Sequence, residues 1–193
     1  MIKDLITKNR SYRRFHQDSH VESDTLHDLV ELARLSASAG NKQPLKYMLS
    51  CDSGTNAKIF PTLAWAASLK DWPGPSEGER PSAYVIILED KGLSNPYVQF
   101  DVGITAQSIL LGAVEKGLGG CMIASVKCEQ LREKLAITDS FDIALVVALG
   151  RPKEEVVIDA GGSSGDTTYW RDDNSVHHVP KRLLEDIIVD VPV

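Results

Sequence analysis

Apolar residues recur along this chain in two rhythms. From Ser23 onward, Leu26, Leu29, Val30, Ala33 and Ala37 fall at the i, i+3, i+4, i+7 and i+11 positions of one helical face. Ser23 or Asp24 can cap its start, and the helix is expected to end near Ala39-Gly40. Residues 98–116 are apolar on most sides, through Val102, Ile104, Ile109, Leu110 and Leu111, and Gly117 is placed to stop them. They predict a buried central helix. Residues 84–88 and 144–149 are unbroken apolar runs of strand length, expected of central strands covered on both faces. Shorter signals predict a helix before Arg10, a strand over 47–51, a helical stretch after Asp52-Ser53-Gly54, a strand over 120–124, and helices over 129–135 and 181–188. Prolines and glycines between Lys70 and Pro81 mark a surface loop that carries Trp72. The stretch 161–165, Gly-Gly-Ser-Ser-Gly, reads as a flexible connector, giving a core over 1–165 and an arm over 166–193 of the same domain. The arm's Ile187, Ile188 and Val189 require a surface to pack on. Alternating helices and strands leave both a parallel and a mixed sheet open.

The length of 193 residues suits one domain, and 42% hydrophobic with 25% charged residues places the chain among globular proteins with a buried core. With 21 Lys+Arg against 27 Asp+Glu the net charge is −6, which disfavours nucleic acid or anionic membrane as a partner. The N-terminus lacks a signal-like apolar stretch and no run is long enough to span a bilayer, so a cytoplasmic location is expected. Cys51, Cys121 and Cys128 are odd in number and lack a C-x-x-C spacing, so neither disulfide nor metal site is expected.

Against that acidic background, Arg10-Ser11-Tyr12-Arg13-Arg14 concentrates three guanidinium groups and a hydroxyl. Guanidinium forks match phosphate oxygens bidentately, so the cluster suits one phosphate monoester; a solvated basic turn is the plain alternative. Ser36 to Pro44 follows the amphipathic helix with small residues that admit a flat ligand, and Asn41 and Gln43 offer donors and acceptors to a heterocycle edge; a helix cap and turn would look the same. Asp101 reads as a helix-dipole partner or loop hydrogen-bonder, and His177-His178 as a solvent-exposed pair. Gly117-x-Gly119-Gly120 reads as a helix stop and strand entry, and Trp72 as a hydrophobic lid or as a substrate-side wall.

Taken in order, Arg10-Ser11-x-Arg13-x-Phe15, Ser38-Ala39-Gly40-Asn41-x-Gln43-Pro44, Asp101-x-Gly103-x-x-Ala106-Gln107, Gly117 to Ile123, and Ala148-Leu149-Gly150-x-Pro152 form one series. On these motifs the chain resembles the FMN-dependent nitroreductase family of NAD(P)H oxidoreductases. The resemblance implies an α+β fold, with a mixed, largely antiparallel sheet wrapped by helices, in an intertwined homodimer with FMN at the interface. It implies hydride transfer from NAD(P)H through flavin N5 to a small oxidised acceptor such as a nitroaromatic or quinone, with no catalytic side-chain triad. Carried over, Arg10, Ser11 and Arg13 look like contacts to the phosphate, ribityl chain and pyrimidine side. Ser38, Asn41 and Gln43 look like ring contacts, and Ala124 and Ser125 match the place where a backbone N–H approaches N5. Lys181 and Arg182 match a basic pair closing on the phosphate; with a flavin bound, Trp72 read as a substrate-side wall would stack over it. Asn9, Ala37 and Leu45 depart from the family's usual arginine, proline and aromatic. Reductive dehalogenation, consumption of the flavin itself, and a non-catalytic flavin-binding or regulatory role are the alternatives.

Overall fold

The computed structural model describes residues 1–69, 71–160 and 166–191. They form two compact units, one of residues 1–65 with 73–153, the other of 66–72 with 154–193. The expected connector at 161–165 lies outside the described residues.

The first unit is built on a four-stranded antiparallel sheet in the order β1-β2-β4-β3, with β1 Leu45–Ser50, β2 Ala83–Asp90, β3 Gly119–Ile123 and β4 Phe141–Gly150. The two apolar runs are β2 and β4, paired at the centre, and side chains alternate between its faces. Val85, Ile87, Val147 and Leu149 pack with Leu26 and Leu29 of α2 (Ser23–Leu35) and Ile109 and Leu110 of α4 (Val98–Glu115). Tyr84, Ile86, Val146 and Ala148 pack with Ile59 of α3 (Ser53–Ile59) and Leu131 of α5 (Cys128–Leu135). Helices therefore cover both faces of an antiparallel sheet, the α+β arrangement expected from the resemblance rather than a parallel one.

Helix α4 buries one side on the sheet but leaves Phe100 67% and Ile104 41% exposed. Its partly buried state follows from a helix apolar nearly all round with only one side covered by its own unit. Helix α2 stops at Leu35, four residues before the expected Ala39. The Ser36 hydroxyl donates to Leu32 O at 2.9 Å, and the chain then turns through a short 3-10 segment at Ala39–Asn41.

The second unit holds a three-stranded sheet in the order β5-β7-β6, of Val156–Ala160, His177–Lys181 and Trp170–Arg171, with β5 and β7 parallel. This one parallel pair makes the strand set mixed and largely antiparallel. Two readings change here. His177 is 1% exposed, and His178 is partly buried, stacked on Trp170 at 4.1 Å and bonded to Asp159 at 3.0 Å. Strand alternation and aromatic neighbours therefore enclose the histidine pair that sequence alone placed in solvent. The helix expected over 181–188 is absent: β7 runs to Lys181, and residues 183–187 form turns held by Asp186 N–H to Leu183 O and Ile187 N–H to Leu184 O. A stretch this short is below the length at which a helix holds without packing, and its Leu184, Ile187 and Ile188 are all more than half exposed.

Candidate functional site

The basic segment is positioned by backbone pairing. Helix α1 (Ile2–Lys8) ends at Asn9, and the chain then runs extended, with Ser11 bridging Gly120 in parallel and Tyr12 N–H donating to Gly120 O at 3.0 Å. Phe15, fully buried, bridges Pro152. Glycines make this approach possible. A Cβ on Gly119 would come within 2.5 Å of the Tyr12 ring, and one on Gly120 within 2.5 Å of Ala148 O. The Gly119-Gly120 pair thus serves close packing at the entry to β3.

The three guanidinium groups have different fates. Arg14 donates to both carboxylate oxygens of Glu79, at 2.9 and 2.7 Å, and Lys153 approaches the same carboxylate at 3.1 Å. Arg14, then Lys153, hold the Glu79 carboxyl well below the usual range, to about 2, against the opposing effect of burial. Arg10 donates Nη2–H to Ile6 O at 2.8 Å, and its Nε is buried with no hydrogen-bond partner among the described residues. Arg13 donates Nη1–H to Ser11 O at 3.3 Å, while Ser11 itself is exposed. Asn9, which departs from the family's arginine, is buried and donates to Gln107 Oε1 at 3.3 Å, tying α1 to α4.

The second cluster is set by one buried carboxylate. Asp101, 2% exposed in the first turn of α4, accepts from the Ser38 hydroxyl at 2.6 Å and from Ala39 N–H at 2.9 Å. Ser38 Oγ in turn accepts from Gln43 N–H at 2.9 Å. Asp101 is therefore a loop hydrogen-bonder, as its position suggested. The enclosed turn takes left-handed backbone at Gly40, Asn41 and Gln43, with φ of 56, 54 and 49°. Asn41 and Gln43 are exposed, and Gln43 Nε2 donates to Asn41 Oδ1 at 3.1 Å. A cleft of about 220 Å³ beside this turn is lined by Ala37, Ser38, Gln43, Tyr47, Asp101 and Thr105 among others.

Ala124 and Ser125 are exposed just past the end of β3, where Ser125 O accepts from Ala64 N–H at 2.9 Å and Leu63 bridges Val126. Strand β3 thus joins two of the sequence-derived groups, with Ser11 beside its start and Ala124-Ser125 after its end. Trp72, Lys181 and Arg182 belong to the second unit. There the Arg171 guanidinium lies 4.8 Å from the Trp72 ring centroid and pairs at 2.9 Å with buried Glu154. Lys181 and Arg182 are exposed at the end of β7. Sequence reasoning missed Glu79, Lys153 and Gln107; Gln107 stands in the Asp101 motif, but nothing local pairs Glu79 with Arg14. Among the described residues no group of three His, Cys, Asp or Glu side chains converges as a metal site, and no helix is long and apolar enough to cross a membrane.

The sequence matches the Nitroreductase family over residues 6–151. The chain belongs to the nitroreductase family. Its family region ends just before Glu154, where the main stretch of the second unit begins. A protein of Archaeoglobus fulgidus, provisionally named as an NADH dehydrogenase/NAD(P)H nitroreductase, is 27% identical over 158 residues, 78% of this chain and 85% of the relative. An FMN-dependent nitroreductase from Clostridium difficile superposes with a TM-score of 0.64 at 23% identity, covering 80% of this chain and 89% of that one. A nitroreductase family protein from Streptococcus pneumoniae gives 0.70 at 17% identity, covering 85% and 96%. The two structural likenesses bear on the fold.

Proposed function

We propose that the chain is an FMN-dependent oxidoreductase that takes hydride from NAD(P)H and reduces a small oxidised acceptor such as a nitroaromatic or quinone. The observation that carries this reading is Arg10, whose Nε is buried with no hydrogen-bond partner among the described residues and which directly precedes the exposed Ser11, in a chain of net charge −6. An orphaned guanidinium N–H with a neighbouring hydroxyl fits one phosphate group. From Gly120 to Ala124 the strand covers about 13 Å, which suits a long cofactor with its phosphate at one end and its ring at the other.

FMN would supply two-electron chemistry at N5. Arg10 and Ser11 bind the phosphate, and Lys181 and Arg182 of the arm close on it. Arg13 would supply positive charge to the pyrimidine side of the flavin, which would favour its reduced form. Asn41 and Gln43 present amide edges to the ring, and Asp101 fixes the turn that carries them. Exposed Ala124 and Ser125 would offer a backbone N–H to N5, and Trp72 would bound the acceptor side. The relatives' names, one an FMN-dependent nitroreductase and one an NADH dehydrogenase/NAD(P)H nitroreductase, support the same cofactor and donor.

The reading includes an intertwined homodimer in which the arm, residues 166–193, packs on the partner subunit. Exposed Phe100 and Ile104 on α4, with Leu184, Ile187 and Ile188 in the arm, are the apolar surface such a dimer would cover.

Flavin reconstitution tests the reading. Arg10→Ala is expected to weaken FMN by roughly tenfold to a hundredfold, the loss of a charge-assisted contact. Arg13→Ala is expected to weaken FMN and to slow its reduction by NAD(P)H together. Unchanged reduction of Arg13→Ala at saturating FMN would remove the assigned role of Arg13, and unchanged affinity in both variants would contradict the site.

A further inference from the structure

A second cleft opens on the α3 side of the sheet, and none of its lining residues is assigned to flavin. It encloses about 280 Å³ between α3 and the segment leading into β2, with Asn56, Phe60, Arg80, Ser82 and Tyr84 among its walls. Ser82 stands just before β2 and Tyr84 within it, and both line the cleft. They are 7% and 0% exposed, and neither Ser82 Oγ nor Tyr84 Oη has a hydrogen-bond partner among the described residues. Arg80 adds a third such group. Its Nη1 pairs with Glu77 at 2.9 Å and its guanidinium carbon lies 4.5 Å from the Phe60 centroid, yet its Nε is buried with no hydrogen-bond partner among the described residues.

The neighbouring amides do not fill the need. Asn56 donates to Ser82 O at 2.8 Å and accepts from the Ser50 hydroxyl at 2.7 Å, and Gln17 Oε1 accepts from Gly78 N–H and Arg80 N–H. Burial pushes the Tyr84 phenol well above its usual range, so it remains a proton donor at neutral pH. All three residues line the same cleft, and native proteins seldom leave buried donors unmatched.

Charge narrows the ligand. Arg80 is already matched by Glu77, and Asp18 also lines the cleft; both carboxylates belong to exposed residues and so stand at its rim. A purely anionic ligand would meet two like charges on entry. A molecule with acceptor oxygens at one end and a protonated amine at the other meets complementary groups at both. The volume lies just under the roughly 300 Å³ at which drug-sized sites begin, which limits the ligand to a small metabolite.

We propose that this cleft binds a small zwitterion of the amino-acid class, its carboxylate taking hydrogen bonds from Arg80, Ser82 and Tyr84 and its ammonium turned toward Asp18 and Glu77. The site is independent of the flavin reading and survives its failure. Calorimetric titration of the full chain with L-alanine, L-glutamine and L-phenylalanine tests it, with propionate and ethylamine as half-molecule controls. At least one amino acid is expected to bind, with each half-molecule at least tenfold weaker. Tyr84→Phe is expected to weaken that binding by roughly tenfold while leaving the Tm of the free protein unchanged, because the hydroxyl has no internal partner to lose. Absence of binding by all three at up to about 10 mM would overturn the proposal. So would propionate binding as tightly as the amino acid, or a Tyr84→Phe protein that binds undiminished or melts several degrees lower.

Discussion

Arg14 closes the basic cluster that Arg10 opens, and its partner is a distant carboxylate. Its guanidinium is engaged by Glu79, 65 positions away, so the basic cluster separates into a structural arginine and the pair Arg10 and Arg13. The sequence made the cluster visible but not this division, because the pairing depends on Phe15 and Lys153 bringing distant backbone together: Phe15 N–H donates to Glu79 O, and Lys153 N–H to Arg14 O. Ser38 shows the same limit, since the sequence does not show that its hydroxyl donates to Asp101, 63 positions away. Glu79 gives a pH prediction. Its native carboxyl titrates at about 2 against an ordinary 4.5, so the native state holds fewer protons than the unfolded one through that window. Its contribution is complete above about 4.5 and is lost as pH falls toward about 2. Glu79→Gln is expected to be about 1–2 kcal/mol less stable at neutral pH, with a shallower loss of stability on acidification, measured by denaturant unfolding. Equal stability of the two proteins at pH 7 would show that the Arg14–Glu79–Lys153 contact contributes nothing net.

Among the elements, the long periodic ones were legible and the C-terminal one was not. Helix α2, helix α4 and strands β2 and β4 carry enough apolar repeats to declare themselves, although α2 ends early where serines compete for the backbone. The spacing of Leu183, Leu184, Ile187 and Ile188 imitates a helix face, but periodicity cannot say whether a surface exists for that face, and the segment forms turns. The exposure of these side chains makes the arm testable. Deletion of residues 183–193 leaves all three strands of the second sheet along with Lys181 and Arg182; if the proposed homodimer forms through the arm, the shortened protein is expected to run as a monomer in size-exclusion chromatography where the full chain runs as a dimer. Deletion from Tyr169 removes β6 and β7 as well, and is expected to lose dimer and FMN together, since a ligand that binds only the dimer stabilises it by mass action. A protein lacking residues 169–193 that stays dimeric and yellow would show the arm to be peripheral.

At the scale of the whole molecule, periodicity alone left the direction of the sheet open, because a strand buried on both faces reads the same in parallel and antiparallel surroundings. The ordered motifs supplied the missing information, and the antiparallel β1-β2-β4-β3 sheet agrees with them. The division of the chain at Glu154 had no sequence marker, because the second unit also takes in residues 66–72 from the middle of the chain. The central claim concerns electron flow through a bound flavin, and anaerobic addition of NADH or NADPH to the purified protein tests it most directly. The account predicts a yellow protein with about one FMN per chain, in keeping with one Arg10–Ser11 site in each, whose flavin absorbance bleaches rapidly with at least one of the two nucleotides and returns when a quinone or nitroaromatic is added. A protein that is colourless and cannot be reconstituted with FMN, or one whose bound flavin stays oxidised with both nucleotides, would contradict it.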